Sequence, residues 1–354
     1  MPTSTATSTA SSGTPEARFS VAIVRDIVQY VGAQGGDCHR LCQAAHIDQT
    51  WLNDPDRQVS GDVLKALWRE AVQQTGDSDL GLHVGEAFDL AAIGIVGYVL
   101  LNCQTYGQAL EKLSQYTRLF SQGVAIHHTV ADGWVICDCE IRGDVKNYLL
   151  DAPRHPIEST LAALVTATQQ LTGHPLKLYS LWFQHPQPES YTEHQRIFQT
   201  AVQFARPVNR LVFDSNCLSW PVKSANLNLL AIFEDHAAAL LSLQEQTQGY
   251  GLKVARALAQ GLPEELPTLD AIARSFSLST RQLQRELQGE NTSYQQLLDN
   301  TRRELALRHL QNPATSVHDL AFLLGFSEPS AFHRAFKRWT GQTPRAFRLG
   351  QMRP

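Results

Sequence analysis

The feature that most constrains this chain lies towards its C-terminal end, where one short pattern occurs twice. The run Leu269-Asp-Ala-Ile-Ala-Arg-Ser-Phe-Ser-Leu-Ser279 is answered by Val317-His-Asp-Leu-Ala-Phe-Leu-Leu-Gly-Phe-Ser327. Each begins with a helix-length segment centred on a small residue, Ala273 or Ala321. A tight turn follows, opened by Ser277 or Gly325 and continued by an apolar residue, Leu278 or Phe326. Ser279 and Ser327 then stand where a second helix needs its N-cap, because a hydroxyl there satisfies free amides of the first turn. The central alanine allows two helices to cross closely, and the apolar turn residue fills the angle between them. This is the grammar of a helix-turn-helix. The copies are offset by 48 residues before the turn and 49 after it, a one-residue insertion in the second copy.

The second helix of each copy separates into two faces. In the first, over Thr280–Gln288, Leu283 and Leu287 point to a core, while Arg281, Gln284, Arg285 and Gln288 form a polar stripe at i, i+3, i+4 and i+7. In the second, Phe332, Phe336 and Trp339 are the core stripe, and Ser330, His333, Arg334 and Lys337 face outward. Arginine, glutamine and serine are side chains that hydrogen-bond base edges in a major groove, and lysine suits phosphate. On one isolated helix such a face would read as ordinary solvated surface. Two in phase, each behind a helix-turn signature, argue for nucleic acid. Charge supports this. Residues 250–354 hold 14 Lys+Arg against 9 Asp+Glu, a net +5, whereas the other 249 hold 16 against 25, a net −9, and together they give −4. A small basic unit joined to a larger acidic one fits a chain of which one end meets a polyanion. Between the copies, Ser293–Leu310 is an uninterrupted helical stretch closed by Asn312-Pro313. At ~1.5 Å per residue it spans roughly 27 Å, a strut that can hold two reading helices about one DNA turn, ~34 Å, apart.

The rest of the chain is of a different kind. Of 354 residues, 43% are hydrophobic and 18% charged, which excludes a disordered chain, and the length allows two or three domains. No apolar run reaches the ~18–20 residues of a transmembrane helix. Residues 1–18, rich in Ser, Thr and Ala, read as a flexible tail, not a signal peptide. Six cysteines without an export signal are expected to be free thiols in a cytoplasmic protein. Helical spacing appears over Phe19–Val31, Ser60–Thr75, Tyr106–Phe120, Pro156–Leu171 and near Thr192–Thr200. Val124–Val130 and Trp134–Cys139 flank an Asp-Gly turn and predict a hairpin, and Leu176–Phe183 and Arg210–Phe213 read as further strands. The expected architecture is an α+β effector or oligomerisation domain over 19–225, a linker helix over 226–249, and an all-α domain over 250–354 with two helix-turn-helix motifs joined by a long helix. In the linker, Leu227, Leu230, Phe233, Leu240 and Leu241 offer a dimer seam that Glu234 interrupts, or a face packed on its own domain.

The run Leu324-Gly-Phe-Ser-Glu-Pro-Ser-Ala-Phe-His-Arg-Ala-Phe-Lys-Arg-Trp-Thr-Gly-Gln-Thr-Pro-Arg-Ala-Phe-Arg348 resembles the signature of the AraC/XylS family of transcriptional regulators almost throughout. The resemblance of residues ~250–349 implies that Arg281, Gln284 and Arg285, and Ser330, His333 and Arg334, are the base-facing positions. Ser277 stands where the family often carries Gly. The preceding residues resemble the ornithine-utilisation-regulator branch, through Asn53-Asp-Pro-Asp-Arg-Gln-Val59, Thr75-Gly-Asp-Ser-Asp-Leu-Gly-Leu82, Trp182-Phe-Gln-His-Pro-Gln-Pro188, Val202-Gln-Phe and Asn209-Arg-Leu-Val-Phe213. That branch is not the cupin-like sugar-binding kind. The resemblance implies promoter DNA as partner, and RNA polymerase if the protein activates. The size and α+β pattern of the first ~225 residues suit regulation by a small-molecule effector of unstated identity, by forming a homodimer, or by both.

Other chemistry is sparse. Cys38, Cys42 and His46 fall at i, i+4 and i+8 with His39 adjacent, a spacing that suits a metal or a small helix using cysteine as an apolar residue. Cys137 and Cys139 share one face of the hairpin, whereas His127 and His128 point to opposite faces. Gly-x-Ser-x-Gly, His-Glu-x-x-His, P-loop and Gly-x-Gly-x-x-Gly motifs are absent, so neither an enzyme nor a cofactor or metal is expected. Asn291-Thr-Ser293 fits a glycosylation acceptor but reads as the entry to the strut. The alternative function is a ligand-binding or catalytic protein whose C-terminal helices serve protein partners.

Overall fold

The computed structural model describes residues 17–54, 57–141, 154–247, 249–262, 266–290, 292–310 and 316–352. Most of the tail, together with Asn291, Asn312 and Pro313, lies outside the described residues. The chain divides into two compact units, Glu16–Gln244 and Glu245–Pro354. Among the described residues, no helix is long and apolar enough to cross a membrane.

The first unit has two cores. The smaller gathers β1 (Arg18–Ser20), α1 (Val21–Ala33), α2 (Cys38–Ala44), β2 (Gln58–Ser60), α3 (Gly61–Thr75) and α4 (Leu80–Glu86) around Ile27, Leu41, Leu67 and Trp68. The helix expected from Phe19 begins two residues later. Ser20 caps it by accepting from Ala22 N at 3.2 Å, and Phe19 instead pairs with Val59 in an antiparallel ladder. Strands of three residues are too short to show alternation, so neither was visible in the sequence.

The larger core lies between helices α5 (Ile95–Asn102), α6 (Tyr106–Phe120) and α7 (Arg154–Thr172) and an open five-stranded sheet. Its strands are β3 (Val124–Ala131), β4 (Trp134–Ile141), β5 (Leu178–Trp182), β6 (Val202–Gln203) and β7 (Asn209–Asp214), with α8 (Thr192–Phe198) between β5 and β6. The order is β3-β4-β7-β5-β6, antiparallel except for β5 with β6. The predicted hairpin is β3–β4, and Asp132 and Gly133 turn it with φ of 50° and 81°, the left-handed pair a tight hairpin turn requires. Cys137 and Cys139 both face the core, and burial pushes the Cys137 thiol up to about 12. The two cores meet where α4 crosses α7. A Cβ on Gly81 would lie 2.4 Å from the His155 carbonyl oxygen, and one on Gly85 2.4 Å from that of Ser159, so only glycine permits this approach.

Helix α9 (Leu227–Thr247) is more than a connector. Leu230 and Ala237 are buried in the larger core, Phe233 and Leu241 pack against it, and Glu234 pairs with Lys112 at 2.5 Å. Residues up to Gln244 count with the first unit.

The second unit is helical throughout its described residues: α10 (Tyr250–Gly261), α11 (Leu269–Ser275), α12 (Thr280–Gly289), α13 (Tyr294–Leu310), α14 (Val317–Leu323), α15 (Pro329–Thr340) and α16 (Pro344–Met352). It carries two small cores. One joins Leu258, Ile272, Ala273, Leu283, Leu287 and Leu298, and the other Ala306, Leu310, Leu320, Ala321, Phe332 and Phe336. Leu298 belongs to α13 near one end and Ala306 and Leu310 to its other end, so this strut supplies a wall to each. Burying one such leucine or phenylalanine contributes ~1.5–3 kcal/mol, which is what seats the helices of each copy against α13.

Candidate nucleic-acid interface

The two copies share their backbone chemistry through the turn. At the end of α11, Leu278 N donates to Ala273 O at 2.9 Å and Ser277 N to Arg274 O at 3.0 Å. At the end of α14, Phe326 N donates to Ala321 O at 3.0 Å and Gly325 N to Phe322 O at 2.8 Å. Both are Schellman closures, which need a left-handed residue after the cap. Ser277 takes it with φ 57° and Gly325 with φ 70°. Ala273 and Ala321 are buried at 1% and 0% exposure, leaving no side chain to hold the second helix away.

The copies diverge at the next residue. Ser279 caps α12 in a complete capping box: Gln282 N donates to its hydroxyl at 3.3 Å, and Ser279 N donates back to Gln282 Oε1 at 2.9 Å. Ser327 does not cap α15. The cap is Glu328, whose side chain makes no capping bond, and Pro329 follows at the first helical position. The inserted residue falls between turn and helix, so the cap moves one place along, and the proline removes an amide that would otherwise lack a partner.

From there the helices run in register at an offset of 49. Leu283 and Leu287 are buried in one, Phe332 and Phe336 in the other. Arg281, Gln284, Arg285 and Gln288 are all exposed on α12, and Ser330, His333, Arg334 and Lys337 are all exposed on α15. On α15 the face is internally tied. Arg334 Nη2 lies 3.3 Å from Glu328 Oε1 and its Nη1 3.4 Å from Ser330 Oγ, and the Ser330 hydroxyl donates to Glu328. The hydrogen bond from Ser330 and then that from Arg334 hold the Glu328 carboxyl below the usual carboxylate range.

Two supporting side chains were not singled out in the sequence. Arg302, on α13 and 9% exposed, donates from Nε to Leu324 O and from Nη2 to Gly325 O, both at 2.8 Å, and stacks 4.4 Å from the centre of the Phe326 ring. It therefore pins the second turn to the strut, and burial lowers its affinity for its proton. Glu290 accepts from Tyr250 N at 2.6 Å and Gly251 N at 2.8 Å, closing the first turn of α10 behind the first copy. Their polar side chains follow no regular spacing, and only the folded chain pairs them with those amides and carbonyls. In the first unit, Cys38, Cys42 and His46 do not converge on a common point. Cys42 is buried, Cys38 reaches Val28 O at 3.5 Å, and His46 is exposed beyond the end of α2 with φ 56°.

Residues 35–222 match a family model described as the arabinose-binding domain of the AraC transcription regulator, N-terminal, and residues 272–350 match a helix-turn-helix domain model. The chain is 30% identical to the ornithine utilization regulator of Pseudomonas aeruginosa, over 93% of this chain and 95% of that protein. It is 26% identical to the HTH-type transcriptional regulator VirS of Mycobacterium tuberculosis, over 76% of this chain and 78% of that one. Among solved structures, the transcriptional regulator CdpR from Pseudomonas aeruginosa aligns with 93% of this chain and 98% of its own, at 22% identity and a TM-score of 0.45.

Proposed function

The chain belongs to the AraC family of transcription regulators, and from that premise we propose which residues read DNA and what the first unit adds. It is a sequence-specific DNA-binding regulator with two helix-turn-helix motifs behind an α+β domain of the effector-binding kind. Arg281, Gln284, Arg285 and Gln288 face one major-groove segment, and Ser330, His333, Arg334 and Lys337 face the next. The observation that carries this reading is the common register of the two helices. At an offset of 49 residues, buried apolar positions match buried ones and exposed polar positions match exposed ones. Arginine and glutamine there read base edges, and Lys337, further from the helix tip, holds phosphate. The Arg334–Ser330–Glu328 cluster must open for Arg334 to reach a base.

The first unit supplies regulation: a small-molecule effector, self-association, or both. A cavity of about 20 Å³ between α6 and α7, lined by Leu110, Leu164 and the hydrogen-bonded pair Tyr106 and Thr168, is too small for a metabolite as it stands. An effector entering there has to part those helices. The chain acts as a cytoplasmic regulator, not an enzyme, and RNA polymerase is its further partner where it activates.

A gel-shift titration across salt, on a site selected from random DNA, tests this reading. The logarithm of affinity should fall linearly with the logarithm of salt, with a slope of about −0.9 per phosphate contact. Candidate metabolites added to the same titration should shift affinity or site preference. An affinity indifferent to salt would mean that the C-terminal helices serve a protein partner instead.

A further inference from the structure

We propose that Glu158, His185 and His194 form a site for one divalent transition-metal ion of the zinc class, held by a carboxylate oxygen and two imidazole Nε2 atoms. Glu158 lies on α7, His185 just beyond β5, and His194 on α8. Nothing in their sequence spacing joins them, yet one ligand atom from each lies within 4.8 Å of those of the other two. Among the described residues no other such group of His, Cys, Asp and Glu occurs. The side chains are buried, at 0%, 4% and 0% exposure respectively. Phe183 and Phe204 wall the site, their ring centres 4.8 and 5.6 Å from that of His185. Arg154 Nε pairs with Glu158 Oε2 at 3.1 Å, and what remains without a hydrogen-bond partner in this buried cluster is His185 Nε2 and His194 Nδ1.

The tautomer of His185 is fixed by its neighbour. Its Nδ1 lies 2.9 Å from the Pro186 carbonyl oxygen, which can only accept, so Nδ1 carries the hydrogen. In its neutral form the ring aims the lone pair of Nε2 at Glu158 Oε1, 3.4 Å away. Two acceptors face each other, and Nε2 has no hydrogen-bond partner. A cation between them removes the conflict. A histidine whose other nitrogen donates to a backbone carbonyl is also how metal-bound imidazoles are oriented.

The spacing suits the ion. Two ligands of a tetrahedral zinc, each ~2.0–2.1 Å from the metal, stand about 3.4 Å apart, which is the His185–Glu158 distance. His194 Nε2 sits closer, 2.7 Å from Oε1, and now donates to it. Metal entry requires that hydrogen to move to Nδ1, so that the neutral ring offers its Nε2 lone pair, and lets the ring retreat by roughly 0.7 Å to the same ligand spacing. Arg154 Nε, 3.1 Å from Oε2, steadies the second carboxylate oxygen and leaves Oε1 as the ligand. Two imidazoles and one carboxylate favour zinc, cobalt or nickel over magnesium or calcium, and three protein ligands leave one coordination position open. A bound ion would tie α7, α8 and the segment after β5 into one body within the unit proposed to sense an effector, although the site itself does not depend on that reading.

The full-length protein, stripped with a chelator, is titrated with Zn²⁺ against a competing chelator, and separately with Co²⁺ as a spectroscopic probe. The expected result is one ion per chain, visible Co²⁺ bands of four- or five-coordinate intensity, and no thiolate-to-cobalt charge-transfer band. His185→Gln should weaken Zn²⁺ binding by ~100-fold or more. Its metal-free melting temperature should fall, because the ring and its hydrogen bond to the Pro186 carbonyl are lost, but Zn²⁺ should no longer raise it. Zn²⁺ should raise the melting temperature of the parent alone. His194→Gln should lose the ion as well. Should that variant fail to fold, the parent's Co²⁺ spectrum and the His185→Gln titration decide the matter. Absence of stoichiometric binding, a thiolate band, or unchanged affinity in His185→Gln would overturn the proposal.

Discussion

Ser277 and Gly325 occupy one position in two copies, and both adopt the left-handed conformation the closure demands. Glycine takes it freely, whereas a serine Cβ is crowded there at a cost of roughly 1–2 kcal/mol. Ser277→Gly is therefore expected to stabilise the protein by about 1 kcal/mol, and Gly325→Ala to destabilise it by at least as much. The alanine also crowds Arg302, since a Cβ on Gly325 would lie 3.3 Å from the Nη2 that bonds the Gly325 carbonyl. Thermal melts of both variants check this, and equal loss in the two would contradict it. At this scale, local spacing made most of the site legible. A helix repeats every 3.6 residues, so the exposed faces of α12 and α15 follow from the buried positions of Leu283, Leu287, Phe332 and Phe336. Ser327 was misread because a single inserted residue shifts only the cap, and serine is a good cap wherever it stands.

Helices with a long apolar stripe, such as α3 and α6, announce themselves, as does a hairpin turned by Asp-Gly. What could not be read was how elements meet. Gly81 stands in a run noted for its resemblance and Gly85 lies beyond it, but only the crossing of α4 with α7 shows why neither can carry a side chain. Glu158, His185 and His194 are separated by 27 and then 9 residues, with no period that a helix or strand would impose. Arg302 belongs to the same class, since its use depends on where α14 ends relative to α13. Arg302→Ala removes a buried cation from two carbonyls of the second turn, and hydrogen bonds to a charged group are worth ~1.5–3 kcal/mol. We expect a loss of about 2–3 kcal/mol in thermal unfolding, together with weaker contact at the second DNA segment only. Arg302→Lys should not restore the turn, because an ammonium cannot present two fixed donors to both carbonyls. Full rescue by lysine would assign Arg302 a purely electrostatic role.

Over the whole molecule, charge and architecture are divided in the same place. The helical unit with its two cores carries the positive excess, and the acidic α+β unit carries the buried Glu158 cluster and the small cavity beside Tyr106. The central claim is that one chain reads two successive major-groove segments with two helices held by one strut, α13, of 17 residues, ~26 Å long. Hydroxyl-radical footprinting of the full-length protein on a selected site tests it most directly. The account predicts two protected segments on one face of the duplex, about 10–10.5 base pairs apart. Arg285→Ala should weaken one and Arg334→Ala the other, each at a cost of ~1–3 kcal/mol and with relaxed preference at a single base pair, while Lys337→Ala should lower affinity evenly across sequences. A single protected segment, or arginine variants as indifferent to sequence as Lys337→Ala, would contradict it.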